Sequence, residues 1–220
     1  FPDRVIRASL SDPDRALGYS GGRILRLDAR AGNSGQTVID VVDFQLDWPM
    51  TEVLGGKFTP YARITWQPSV RSRYYLRPPA TGYDPTPSWI ERVGSFDGPL
   101  AWRGTGGISW QRDRTTLDIN VQYFDGYSVI NSEASFDQSE SMARVATQGR
   151  AKIPAQAYVD VSASRTFNLY GAGPLRSAEI RLGMLNVLDH SPLIVVGEPG
   201  YSTYGDPRRR RIELSATAQF

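Results

Sequence analysis

The sequence contains no cysteine and a single histidine, His190, among its 220 residues. These absences exclude disulfide bonds, cysteine nucleophiles, thiolate metal sites and centres built from several histidines. The longest uninterrupted apolar run, residues 193–196, is far shorter than the roughly 20 residues that a membrane-spanning helix needs. Basic residues (25) and acidic residues (23) nearly balance, so a nucleic-acid partner is not indicated. We expect no bound metal and no cofactor.

What the sequence does contain is an alternation of apolar and polar residues, which is the period of a β-strand. In residues 212–220 every second residue from Ile212 to Phe220 is apolar, and every residue between is polar. Residues 58–66 and 117–123 repeat this pattern, and weaker copies occupy 25–29, 42–48, 100–110, 159–167 and 180–184. The pattern predicts an all-β chain of about eight strands without a convincing amphipathic helix.

Short and long connections alternate along the chain. Residues 49–54, 111–114 and 170–176 form the short ones, and residues 68–99, 128–154 and 189–207 form the long ones, with a brief turn at 32–36 on the long side. In an up-and-down antiparallel meander, every other connection lies at the same end. Two-faced strands with short turns opposite long loops are typical of a transmembrane β-barrel.

The aromatic residues of the apolar faces fall at two levels. Trp48, Phe58, Trp110 and Phe167 lie towards the short turns, whereas Trp66, Trp102 and Tyr123 lie towards the long loops. Aromatic residues are enriched at the two interfaces of a bilayer, so two such girdles favour a membrane-spanning barrel. The strands of a soluble β-sandwich also alternate, and this alternative stays open at this point. In a sandwich the apolar face would be a packed core.

Several segments resemble a known family. The final strand ends on Phe220, with Ala218, Ala216 and Leu214 at alternate positions before it, which resembles the assembly signal of outer-membrane barrels. Residues 204–210 (Tyr-Gly-Asp-Pro-Arg-Arg-Arg) resemble a Tyr-Asp-Pro-x-x-Arg-Arg motif, and residues 186–189 (Asn-Val-Leu-Asp) resemble an Asn-Leu-Phe-Asp motif. Residues 1–7, 22–24, Asn33 and 42–44 resemble the segments that lead into two of the late barrel strands in the same family. Together these segments resemble the C-terminal part of a TonB-dependent outer-membrane receptor.

This resemblance implies a barrel of 22 strands that encloses an N-terminal plug. Residues 1–220 would form about the last eight strands of that barrel. The plug is absent from this chain, so the same protein or a second chain would have to supply the plug and the other strands, and the TonB complex would act through a plug segment. The resemblance implies residence in the outer membrane of a Gram-negative bacterium, among lipopolysaccharide. It also implies import of a scarce nutrient such as a siderophore. Because the first residue is Phe1 and not Met, and no basic start followed by an apolar segment is present, we expect any targeting segment to lie upstream or to have been removed.

An autonomous eight-stranded barrel, acting as an adhesin or an enzyme, is the main alternative within the membrane class, because eight strands can close around their own side chains. The polar residues at several inward positions suit a wide, wetted wall better than a narrow interior filled with side chains.

Aromatic and arginine residues are concentrated in the long loops. The candidates for ligand binding are Arg71, Arg73, Tyr74, Tyr75, Tyr83, Trp89, Tyr201 and Tyr204. Such side chains suit capture of an anionic or aromatic ligand. The alternative is that they pack loop against loop and contact lipopolysaccharide phosphates.

No catalytic group is predicted, and the chain is not expected to be an enzyme. Residues 18–22 match the G-x-S-x-G pattern, but a nucleophile elbow needs a strand before it and a helix after it. Residues 11–15 are instead rich in turn formers, and a strand pattern follows the motif. The acidic residues that could be read as acid/base pairs are Asp40 with Asp43, and Glu133 with Asp137 and Glu140; we expect them in a strand and in a polar loop.

Overall fold

The computed structural model describes residues 4–29, 35–74, 88–132, 138–169, 174–197 and 200–220. The chain divides into two compact units, Phe1–Thr37 with Ser72–Trp89 and Val38–Arg71 with Ile90–Phe220. Strands dominate the described residues, and their pairings are antiparallel. The prediction of an antiparallel all-β chain is therefore confirmed.

The smaller unit contains two paired strands, β1 (Val5–Arg7) and β2 (Ile24–Leu27), with the five-residue helix α1 (Asp12–Ala16) between them. Ser11 caps α1, because its Oγ accepts a hydrogen bond from the Asp14 N–H at 3.3 Å. The strand predicted at residues 25–29 thus exists but pairs with β1, and its expected place in the large sheet was wrong. The reason is local: segments this close in sequence pair at little entropic cost.

The larger sheet follows a meander. Its elements and the intervening segments are β3 (Gly35–Asp47), β4 (Met50–Val53), β5 (Gly56–Tyr74), β6 (Ile90–Glu91), β7 (Trp102–Arg112), β8 (Thr115–Phe124), β9 (Tyr127–Ser128), α2 (Gln138–Gln148), β10 (Lys152–Ile153), β11 (Gln156–Asn168), β12 (Ser177–Leu185) and β13 (Arg211–Gln219). The long strands run in the order β13-β12-β11-β8-β7-β5-β3, β4 and β6 add to β5, and β9 pairs with β10. Within the described residues β3 and β13 are the outermost strands, and no pairing joins them.

The register gives the large sheet two chemically distinct faces. The apolar face is the side that carries Leu117, Ile119, Val121 and Tyr123 of β8, and the polar face is the opposite side. Ile119 lies between Ile108 of β7 and Val161 of β11, so apolar residues meet across neighbouring strands. Phe58 lies opposite Trp110, and Trp66 lies opposite Trp102, with the last two rings stacked at 5.4 Å. Four of the seven aromatic residues predicted to form the two levels are therefore paired in register.

The apolar face is uncovered in the larger unit. Ile119 is 47% exposed, Leu182 54% and Leu214 72%. The apolar side chains that are buried among the described residues lie in the long connections or at the strand ends beside them: Val70, Leu100, Tyr127, Val129, Ile153, Tyr158 and Val195. Monomeric soluble proteins rarely expose a continuous apolar surface of this kind.

A small hydrophobic cluster forms among the long connections, and we call it the loop core. It consists of Leu100, Tyr127, Val129, Ile153 and Val195. Val145 of α2 packs against it, and Gly149 (φ +73°) ends that helix by donating its N–H to the Val145 carbonyl at 2.9 Å. The expectation of no helix was wrong. Helix α2 is short and polar, so its period is weak in the sequence, and contact with the loop core stabilises it.

Strand β5 is longer than predicted. A long loop was expected from Pro68, but the strand continues through Tyr74. Proline lacks an N–H, yet the adjacent ladder is maintained because Gln67 donates to the Ala101 carbonyl and Val70 accepts from the Arg92 N–H. Arg71, Arg73 and Tyr74 therefore lie on a strand, and their predicted place in a loop was wrong.

No helix within the described ranges is both long enough and apolar enough to cross a membrane.

Candidate ligand-binding surface

The polar face is lined by hydrogen-bonded side chains. Asn120 Oδ1 accepts from Tyr61 Oη at 2.9 Å and from Thr105 Oγ1 at 3.0 Å, which links three strands. Tyr61 reaches Asn120 by lying across Gly107, where an added Cβ would stand 2.7 Å from the tyrosine oxygen. Farther along the sheet, Ser162 Oγ contacts both Asp118 and Arg181. The polar face is thus an ordered surface that carries charged groups and hydrogen-bond donors.

The carboxylates of β3 are paired with side chains of β5. Asp47 lies 3.3 Å from Arg63, and Asp43 accepts from Thr65 Oγ1 at 2.7 Å. Asp40 lies 4.0 Å from Arg71, the first of the predicted ligand-binding arginines. Asp40 and Asp43 therefore lie on one strand, as expected, and each contacts a different residue of β5. Arg71 thus takes part in the side-chain contacts between β3 and β5.

Arg73 and Trp89 meet in the smaller unit. The Arg73 guanidinium lies 4.5 Å from the centroid of the Trp89 ring, a cation–π distance. Two nitrogens of Arg73 also donate to Gln36 Oε1, at 2.7 and 3.2 Å. Trp89 and Tyr74 each remain 39% exposed. A pre-oriented guanidinium beside the accessible Trp89 ring can bind an anionic or aromatic group. Tyr75 and Tyr83 lie outside the described residues.

The two tyrosines of the last long loop have different surroundings. Tyr204 packs on the loop core, with its ring 5.6 Å from that of Tyr127 and 6.0 Å from that of Phe124. Tyr127 Oη and the buried Ser202 Oγ are 2.9 Å apart, which holds the same loop. Tyr201 is 46% exposed and belongs to an isolated bridge with Ile194. Tyr204 thus serves loop packing, whereas Tyr201 offers an accessible ring.

The Asn-Val-Leu-Asp segment organises the chain after β12. Asn186 has φ +49°, and its side chain both accepts from the His190 N–H at 2.9 Å and donates to the His190 carbonyl at 2.7 Å. Asn tolerates this left-handed conformation better than most residues do. His190 is therefore part of a turn. The motif that resembles a family signature has a structural role here.

An aspartate from each of the two motifs binds arginines that precede β13. Asp189 accepts from Arg209 Nη2 at 2.6 Å and Nε at 2.9 Å, and from the Arg210 N–H at 3.0 Å. These bonds hold the pKa of Asp189 well below its ordinary value. Asp206 accepts three hydrogen bonds from Arg208 and one from Arg211. Hydrogen bonding by Arg208 outweighs partial burial and lowers the pKa of Asp206 to about 2.

We expect Arg208→Gln to raise the pKa of Asp206 from about 2 towards 3.8. Because the pKa of Asp206 is lower in the folded chain, ionised Asp206 stabilises the fold at pH values above its ordinary pKa. This stabilisation is lost as the pH falls from roughly 4 to 2. The measurement is the carboxyl chemical shift of Asp206 during an NMR pH titration, with Arg150→Gln as a control that removes a distant charge. An unchanged Asp206 titration in Arg208→Gln would contradict this assignment.

A further carboxylate was not singled out by the sequence. Asp97 accepts from the N–H and Oγ of Ser132, at 2.7 and 2.9 Å, and forms an ion pair with Arg92 at 2.5 Å. Burial opposes ionisation, but these hydrogen bonds and the positive charge together lower the pKa of Asp97. Asp97 and Ser132 are 35 residues apart in sequence, so only folding brings these two residues together. Asp97 joins two long connections beside the loop core.

The residues of the predicted assembly signal lie on the apolar side of β13 or follow it. Leu214, Ala216 and Ala218 pair with Leu182, Ile180 and Ala178 of β12. Phe220 follows the strand and is 78% exposed. The signal residues are therefore accessible.

The structure also bears on the rejected elbow. Around Ser20, helix α1 comes before the motif and strand β2 comes after it, the reverse of the order that an elbow needs. Across the described residues no group of three or more His, Asp or Glu side chains could hold a metal ion. Glu140 pairs with Arg144 at 3.1 Å, and Glu133 and Asp137 lie outside the described residues.

Comparisons with protein-family models, curated proteins and solved structures found no match.

Proposed function

We propose that the chain is the C-terminal barrel segment of a TonB-dependent outer-membrane receptor, which binds a scarce nutrient at the cell surface and imports it. One observation carries this proposal: the large sheet exposes a continuous apolar face and lines its other face with hydrogen-bonded polar side chains. A membrane barrel needs this arrangement, because lipid covers the outer face and water fills the interior. A sandwich would have to cover the apolar face.

The paired aromatic residues support the same orientation. The stacked Trp66 and Trp102 are near the long connections, and the Phe58–Trp110 pair is near the two-residue turn between β7 and β8. These two levels would lie at the outer and inner interfaces of the bilayer. The loop core would then stand outside the cell and hold the long connections in fixed positions.

The complete barrel would contain 22 strands, more than this chain supplies. The outer edges of β3 and β13, which pair with no other described strand, would join the remaining strands of a 22-stranded barrel, supplied by the same protein or by a second chain. The plug and its TonB-contacting segment would come from the same source. Exposed strand edges need such partners, because unpaired backbone groups cannot face lipid.

Ligand capture would fall to the accessible groups. Arg73 and Trp89 combine a positive charge with an exposed ring. The exposed rings of Tyr74 and, in the larger unit, Tyr201 are separate accessible contacts. A ligand with anionic and aromatic groups, as many siderophores have, would suit them. The paired Arg71 and the packed Tyr204 would instead hold the wall and the loops, and outward arginines near the loops would meet lipopolysaccharide.

The test is the intact mass of the polypeptide that ends in Phe220, and of anything bound to it, after detergent extraction of outer membranes. We expect a much larger chain, or a tightly bound second chain that carries a plug. A lone species of 24.4 kDa that shifts on heating would instead establish a small autonomous barrel. A chain that stays folded and monodisperse without detergent would contradict membrane insertion altogether.

We expect deletion of Phe220 to reduce assembly into outer membranes strongly while leaving refolding into detergent unchanged. The side chain is exposed, and changes at exposed surface positions usually alter the free energy of unfolding by only about 0.5 kcal/mol or less. Its value would lie in recognition by the assembly machinery. The measurement compares heat-modifiable protein in cells and in vitro for the deletion and for Phe220→Tyr, which keeps a terminal aromatic ring. Equal assembly of the wild type, the deletion and Phe220→Tyr would show that Phe220 is not part of the assembly signal.

A further inference from the structure

A cluster of arginines lies on the apolar side of the large sheet at its short-turn end. A cavity of about 640 Å³ is lined by Trp110, Arg112, Asp113, Arg114, Thr115 and Arg165. Thr115 pairs with Arg112 on one side and with Arg165 on the other, so the three residues form one row across β7, β8 and β11. The Arg114 carbonyl accepts from the Thr166 N–H at 2.9 Å, which holds the β7–β8 turn against β11. The backbone thus brings residues from separate strands to one place.

The cluster departs from the chemistry of its face. The neighbouring row along the same strands consists of Trp110, Leu117 and Ala163, and it is apolar. Arg165 follows Ala163 on that face and precedes Phe167, whose ring centroid lies 5.7 Å from the Arg165 guanidinium. Exposed arginines between an apolar band and aromatic rings occupy the position at which a bilayer's headgroups would begin.

The cluster carries excess positive charge. Asp113 is the one carboxylate in the lining, and it lies 4.0 Å from Arg112, a distance at the limit of an ion pair. Among the described residues, no carboxylate lies within ion-pair distance of Arg114 or Arg165. Two guanidinium groups beside a threonine hydroxyl can donate several hydrogen bonds to the oxygens of one phosphate.

We propose that this cluster binds the phosphate of an anionic phospholipid in the periplasmic leaflet, with Arg114 and Arg165 as the main contacts. The acyl chains would lie along the apolar face beside Leu117 and Ala163, while Trp110 and Phe167 flank the headgroup. The occupant is a lipid, because the site opens onto the apolar face and not onto the polar one. This inference rests on the proposed function, since it requires the face to meet a bilayer.

The experiment measures lipid retention by native mass spectrometry of the purified protein in micelles doped with equal amounts of phosphatidylglycerol and phosphatidylcholine. We expect a preference for phosphatidylglycerol, and roughly a tenfold loss of that preference in R114Q/R165Q. The matched control, R150Q/K152Q, removes the same charge from exposed positions at the other end of the sheet and should keep the preference. The single variant R165K, which retains the charge, should keep most of it.

Each outcome decides the proposal. Equal retention of the two lipids by the wild type, or an unchanged preference in R114Q/R165Q, overturns it. Loss of the bound lipid on addition of millimolar inorganic phosphate would identify a soluble anion as the occupant and also overturn it. If R114Q/R165Q does not fold, R165Q alone must lower the preference relative to R165K. Heat-modifiable insertion without a lipid preference overturns only this site, whereas a chain that needs no detergent overturns the proposed function as well.

Discussion

Replacement of Ile119 by arginine should destabilise the folded chain in a bilayer by about 2 to 4 kcal/mol. Ile119 lies mid-strand on the apolar face, between Ile108 and Val161, and is 47% exposed. In the proposed barrel an arginine at this position would enter the hydrocarbon, where a charge is poorly solvated. In water the same exposed position would tolerate arginine within about 0.5 kcal/mol. The substitution therefore separates a lipid-facing surface from a solvated one.

The measurement is denaturant unfolding of the complete barrel that contains this chain, in phospholipid vesicles, monitored by heat modifiability on gels. Gln122→Arg is the matched control, because it introduces the same side chain on the same strand but on the polar face, where Gln122 is exposed. We expect the control to unfold close to the wild type. Equal stabilities of Ile119→Arg and the wild type would show that the apolar face does not contact lipid.

Truncation of Leu100 to alanine should destabilise the loop core by about 2 to 5 kcal/mol. The Leu100 side chain is 2% exposed and packs in the cluster that joins β9, β10 and the last long connection. The cavity left by the truncation would lie among Tyr127, Val129, Ile153 and Val195, which belong to these segments. Hydrogen exchange should accelerate in residues 125–132 and 193–197 while the strands β7, β8 and β11 keep their protection.

The control is Met142→Ala in helix α2, where the methionine is 69% exposed and the change should alter exchange little. Exchange that rises equally in the loops and the strands of Leu100→Ala would mean that the loop core and the sheet unfold together. Unaltered exchange everywhere would mean that the loop core does not order the long connections. The second result would remove the proposed role of the loop core in holding the long connections.

Local sequence patterns predicted the large strands well, because a β-strand imposes a period of two wherever its faces differ in environment. β8 and β13 show this most clearly, since every second residue changes from apolar to polar. The pattern was less informative at strand ends. In β5 the residues beyond Pro68 still alternate, but proline and the many arginines indicated a loop.

The sequence predicted which residue types the candidate site contains, but not how these residues are arranged in space. The concentration of arginine and aromatic residues was visible, and Arg73 does meet Trp89. Which aromatic residues are accessible could not be read from the chain: Tyr201 and Tyr204 are three residues apart, yet only Tyr204 joins the packing around Tyr127. Burial depends on segments far away in sequence, such as residues 125–132, and no local pattern reports it.

The sequence alone specified that the chain is mainly β-strand with one apolar and one polar face, because successive side chains of a strand point to opposite faces. The absence of cysteine and the single histidine likewise excluded whole classes of site. Only the folded structure established that the apolar face stays uncovered in the larger unit, that Asp189 binds Arg209 and Arg210, and that Arg114 and Arg165 line one cavity. Those contacts join residues that are distant along the chain, and their formation depends on strand register and on the packing of the long connections.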